Sequence, residues 1–118
     1  MQTLIFSEVE NICPFDLLNE EDFIKDSLIN ASIVAKSPYL KVETHKFEPQ
    51  GVTGFALLAE SHISIHTWPE NHLAKCDIFC CGEEAHPREA VQYLHGRFKS
   101  KEVRRWVCDR SSKILTVL

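Results

Sequence analysis

The spacing of apolar residues along the chain changes period several times, and each change marks an element. Thr3 to Val9 alternates and predicts a strand. Asn19-Glu20-Glu21-Asp22 then has the make-up of a helix start, with Asn19 as N-cap and acidic side chains in the first turn. Phe23, Ile24, Leu28, Ile33 and Val34 follow near helical spacing, which predicts a helix to about Lys36, ended by Ser37-Pro38. Leu40 to Phe47 reads as a second strand and Pro49-Gln50-Gly51 as a turn. Val52 to Ala59 has few polar residues and reads as a buried strand. From His62 to Trp68 the period is two: Ile63, Ile65 and Thr67 point one way, His62, Ser64, His66 and Trp68 the other. Lys75 to Cys81 alternates again and stops at Gly82. His86-Pro87 opens a second helix, with Pro in the first turn, where no N–H partner is lost, and Ala90, Val91, Leu94 and Phe98 on its apolar face. Val103 to Cys108 and Ile114 to Leu118 are short closing strands. This order predicts an α+β two-layer sandwich, an antiparallel sheet covered on one face by two helices.

Length makes this one domain, 1–118, since 118 residues bury a single core. A formal net charge of −4 argues against nucleic acid as a partner, because backbone binding needs a basic face. The longest apolar stretch, Gly54 to Ala59, is far too short to span a bilayer, and no basic segment followed by an apolar one opens the chain. Both features point to the cytoplasm. Five cysteines in that setting are reduced thiols, with Cys13, Cys76 and Cys108 expected as small buried hydrophobes. Cys76, Cys80 and Cys81 lie close enough to raise a metal site, but the paired spacing of a four-ligand zinc site is absent, so no metal is expected.

Candidate chemistry concentrates in Leu58-Ala59-Glu60-Ser61-His62-Ile63-Ser64-Ile65-His66-Thr67-Trp68-Pro69-Glu70, with Cys80-Cys81-Gly82 downstream. A hydroxyl, an imidazole and a thiol fall within about twenty residues of one another. Taken singly each has an ordinary reading: Ser61 as a turn residue, His62 and His66 as a polar stripe, Phe47 and Trp68 as packing, Glu70 as a solvated loop acid. Their joint order and spacing are harder to assign to coincidence.

This run resembles the self-processing segment of the prokaryotic pyruvoyl-dependent S-adenosylmethionine decarboxylase family. The resemblance implies cleavage between Glu60 and Ser61, giving 1–60 and 61–118, with Ser61 becoming a covalent pyruvoyl cofactor. The keto group so made condenses with a substrate amine and acts as electron sink. The resemblance makes His66 the base for processing, Thr53 a supporting hydroxyl and Cys81 the thiol that returns a proton to substrate. It also makes Phe47 the ring that stacks on adenine and Glu70 the carboxylate that grips the ribose. Similarity is dense from about Phe47 to Gly82 and thin elsewhere. The family usually opens with Gly-x-His-Leu and carries His-x-Arg-Gly near its end, where this chain has Met1-Gln2-Thr3-Leu4-Ile5 and Cys108-Asp109-Arg110-Ser111. A pyruvoyl-dependent ornithine or arginine decarboxylase is therefore the alternative, although Phe47 and Glu70 would then have no adenosine to hold. Decarboxylated S-adenosylmethionine would feed spermidine synthesis.

The resemblance also implies a homodimer with composite active sites, and strand geometry independently favours one. Ser61 and His66 are five residues apart, roughly 16 Å along an extended strand, and their odd spacing turns them to opposite faces.

Overall fold

The computed structural model of the protein describes residues 2–11, 15–81 and 85–109. Among these residues six antiparallel strands form one sheet: β1 (Gln2–Asn11), β2 (Tyr39–Lys46), β3 (Val52–Leu58), β4 (His62–Trp68), β5 (Leu73–Cys81) and β6 (Ser100–Asp109), in the spatial order β2-β3-β4-β5-β1-β6. Among the described residues the helices are α1 (Phe15–Leu18), α2 (Glu21–Val34) and α3 (Pro87–Arg97), and α2 and α3 cover one sheet face. This is the expected α+β sandwich, with one extra helical turn, α1. The Ile114 to Leu118 strand and Cys13 lie outside the described residues.

Alternation decides which face each strand buries. Ile63, Ile65 and Thr67 of β4 are buried while His62, Ser64, His66 and Trp68 turn outward, as their period requires. Val52, Ala56 and Leu58 of β3 join Ala74, Cys76, Ile78 and Cys80 of β5 beneath Ile24, Leu28 and Ala31 of α2 and Ala90, Val91, Leu94 and Phe98 of α3. At Gly54 the helix comes so near that a Cβ would lie 2.9 Å from the Leu28 side chain and 3.0 Å from that of Thr44. The two helices are joined by Arg97, whose Nε donates to Ser27 Oγ at 2.7 Å while its guanidinium lies over the Phe23 ring.

Three local readings are corrected. Asn19 does not cap α2: Glu20 occupies that position without a side-chain cap, and the Asn19 amide is engaged by the Gly51 N–H instead. The acidic first turn, Glu21 and Asp22, still complements the helix dipole. Ile33 is exposed, because α2 presents only the stripe through Ile24, Leu28 and Ala31 to the sheet. Cys108 is exposed on edge strand β6, whereas Cys76, on central strand β5, is buried as expected.

Candidate active site

Leu58 N donates to Ser61 O at 2.9 Å, and Leu57 pairs with His62, so β3 and β4 are joined by a turn of only Ala59 and Glu60. Both keep negative φ. The backbone before the 60–61 bond therefore holds no left-handed strain; the local constraint is the tight reversal. Ser61 is buried, and its Oγ accepts the Cys81 N–H at 3.0 Å. This bond ties the turn to the end of β5, 20 residues away.

Cys80 and Cys81 face opposite sides of the sheet. Cys80 is buried under the helices, and burial first, then the neighbouring Cys81, pushes its thiol up to about 11. Such a thiol stays protonated and sealed in the core. Cys81 is half-buried on the helix-free face, the face that also carries His62 and Phe79 as a parallel stack with centroids 5.7 Å apart.

His66, Thr53, Phe47 and Trp68 meet near the other end of β4. Register sets Thr53 directly opposite His66, and Thr53 Oγ1 lies 2.5 Å from His66 Nδ1. The imidazole lies between two aromatic rings, Trp68 at 4.0 Å and Phe47 at 5.7 Å between centroids, and Lys75 sits over Trp68. Desolvation lowers the His66 pKa, opposed by the negative charge of Glu70 on the 3₁₀ turn Pro69–Asn71, so the ring is neutral at neutral pH and can accept a proton.

The seven expected residues thus fall into two groups. Glu60, Ser61 and Cys81 gather where β4 begins, and Phe47, Thr53, His66 and Glu70 where it ends. One chain holds both groups without joining them. Ser61 fits a cofactor precursor: it is a buried serine directly after the two-residue turn, held by the N–H of Cys81, whose thiol is the outward-facing one of β5. Among the described residues, no group of three His, Cys, Asp or Glu side chains is placed to hold a metal, and no helix is long and apolar enough to cross a membrane.

Sequence reasoning placed Thr67 on the inward face and Asn19 at a helix cap without finding what their polar groups bind. The Thr67 hydroxyl donates to Leu18 O at 2.8 Å and accepts the Val52 N–H at 2.9 Å, both in the core. Its signal was available: a threonine on a face otherwise made of isoleucines has a hydroxyl that must be satisfied.

Residues 5–111 match a protein-family model described as S-adenosylmethionine decarboxylase. An S-adenosylmethionine decarboxylase proenzyme of Prochlorococcus marinus (strain MIT 9211) is 54% identical over 84 residues, 71% of this chain and 69% of the relative. The proenzyme of Acetivibrio thermocellus is 39% identical over 107 residues, 86% of each chain. Among solved structures, the adenosylmethionine decarboxylase of Aquifex aeolicus superposes with a TM-score of 0.85 at 30% identity, over 93% of this chain and 90% of that one. The Trypanosoma brucei enzyme shares the fold, with a TM-score of 0.52 at 15% identity.

Proposed function

The chain belongs to the S-adenosylmethionine decarboxylase family and decarboxylates S-adenosylmethionine, and on that premise we propose that it makes its own pyruvoyl cofactor by cleaving between Glu60 and Ser61. Ser61 Oγ attacks the Glu60 carbonyl and converts the amide to an ester. A base removes the Ser61 α-proton, elimination frees Glu60 as a new carboxylate, and water replaces nitrogen as ammonia leaves. The observation that carries this reading is the buried Ser61 directly after the two-residue turn Ala59-Glu60, fastened to β5 through Cys81 N–H. His66 is the base, kept neutral by its partly dry site and oriented by Thr53.

When formed, the pyruvoyl carbonyl supplies the electron sink for loss of carbon dioxide. Phe47, 40% exposed and packed edge-on against His45, offers a ring face to the adenine, and Glu70 accepts hydrogen bonds from the ribose hydroxyls. Cys81 holds the proton returned to the substrate α-carbon. Cys81→Ala is expected to cleave itself normally but lose about 10²- to 10⁴-fold in kcat, the usual contribution of a general acid. Cys80→Ala keeps near-normal kcat because its thiol is on the buried face. Equal losses in steady-state assays of the two variants would contradict the assignment.

The active unit is a homodimer whose two sites each draw on both chains. Support comes from the separation of the two residue groups and from the helix-free sheet face, where Phe55 and Leu57 of β3 are 42% and 45% exposed and Leu57 shares a cross-strand row with His62 and Phe79. Trp106 of β6 stands in the same cross-strand row as Asp77, and is 46% exposed. A second copy laid on this face covers those rings and brings the two groups together across a two-fold axis. The product serves spermidine synthesis in the cytoplasm. Carbon dioxide release measured in parallel from S-adenosylmethionine, ornithine and arginine tests the function as a whole. Release from S-adenosylmethionine alone is expected, together with two fragments by intact mass. Release from ornithine or arginine instead would reassign the substrate.

A further inference from the structure

The turn that carries Phe47 is held from the helical layer. Phe47 N–H donates to Gly51 O at 2.8 Å, closing the loop 47–51. Gly51 has φ +106°, and a Cβ there would meet Thr67 O at 3.2 Å and a Phe47 ring carbon at 3.9 Å, so the aromatic ring lies close over the Gly51 backbone. The remaining polar group of Gly51, its N–H, donates to Asn19 Oδ1 at 2.9 Å across 32 residues of sequence. Asn19 lies in the bend between α1 and α2, itself fixed by its N–H to Phe15 O at 2.9 Å. One residue to either side, Thr67 makes a parallel link, bonding both Leu18 O and Val52 N–H. The strand start at Val52 is therefore anchored without Asn19. What Asn19 alone holds is the N–H of Gly51, the last residue of the loop that carries the Phe47 ring.

We infer that Asn19 is a positioning residue for substrate, setting the height and tilt of Phe47 through Gly51. The inference rests on Phe47 being the adenine platform. It requires only an acceptor oxygen at position 19, since the donor is a backbone N–H. A capping role is not available to it, because α2 has no side-chain cap.

The test uses the self-cleaved enzyme with Asn19→Ala and Asn19→Asp, the second retaining the acceptor. Steady-state kinetics with S-adenosylmethionine give KM and kcat. Calorimetry gives the Kd of 5′-methylthioadenosine, an adenosine thioether that has no amine to react. For Asn19→Ala, KM and Kd are expected to rise about fivefold, the loss of one well-formed hydrogen bond, with kcat and fragment yield near wild type. Asn19→Asp restores both constants to within about twofold on the same scale. Unchanged KM and Kd with a lowered Tm would make Asn19 merely structural and overturn the inference, as would failure of Asn19→Asp to rescue. If Asn19→Ala does not fold, Asn19→Ser, whose shorter side chain falls short of Gly51, is measured in its place against the same criteria. Wild-type protein that neither binds 5′-methylthioadenosine nor decarboxylates S-adenosylmethionine would refute the assignment of Phe47 itself, and the inference with it. Wild-type binding with an indifferent Asn19→Ala refutes the inference alone.

Discussion

Ser61→Ala is expected to remain one intact chain and to release carbon dioxide from S-adenosylmethionine only at the background of the assay. Alanine has no oxygen to attack the Glu60 carbonyl, so neither the ester nor the keto group can form. The substitution removes one hydrogen bond, from Cys81 N–H, and leaves the Leu58–Ser61 backbone link in place, so the fold is retained. Intact mass and a denaturing gel check the result, with wild type resolving into two fragments, the C-terminal one blocked to Edman chemistry. Self-cleavage of wild type also has a defined pH dependence. His66 must be neutral to take the α-proton, and its pKa is lowered from 6.5 by desolvation. Cleavage is thus expected to slow, as pH falls, at a lower pH than an ordinary histidine base would impose. A wild-type chain that stays whole after long incubation would remove the pyruvoyl mechanism for this protein.

The second large effect is restoration of activity by mixing two inactive variants. His66→Ala lacks the base and Cys81→Ala lacks the acid, and each homodimer is expected to be inactive or nearly so. In a heterodimer with composite sites, Ser61 and Cys81 of the His66→Ala chain meet the intact His66 of its partner. One site of the two is then complete. Activity should recover to about half that of wild type per dimer, as two equivalent sites related by a two-fold axis require. The cleavage pattern is equally telling. The His66→Ala chain is cut, served by its partner's imidazole, and the Cys81→Ala chain stays whole. If His66 instead acts within its own chain, the pattern reverses: the Cys81→Ala chain is cut, and activity does not return. Tagging one chain so that verified heterodimers can be purified makes the comparison direct.

Much of this molecule is legible one residue at a time. Strand faces follow from a period of two, which is a property of extended backbone and needs no partner. It was enough to bury Ile63 and Ile65, turn His66 outward, and separate Cys80 from Cys81. Pro87 at the start of α3 and the apolar stripe Ala90, Val91, Leu94 and Phe98 are equally local, and the helix formed where they predict. The run from Glu60 to Glu70 likewise carried the family in its order of residue types. Other features depended on which distant segments became neighbours. Asn19 has the composition of a helix cap, yet an N–H 32 residues away at Gly51 claimed its oxygen, and a single side chain cannot serve both. Cys108 was expected inside because free thiols are apolar, but burial is a property of strand order, and β6 is an edge. Ile33 is exposed because, nine residues after Ile24, it stands on the side of α2 away from the stripe that meets the sheet. The division of the site is tertiary too. The distance from Ser61 to His66 follows from the length of β4, but register decided which residues join each end, setting Thr53 against His66 and the β3–β4 turn against the end of β5.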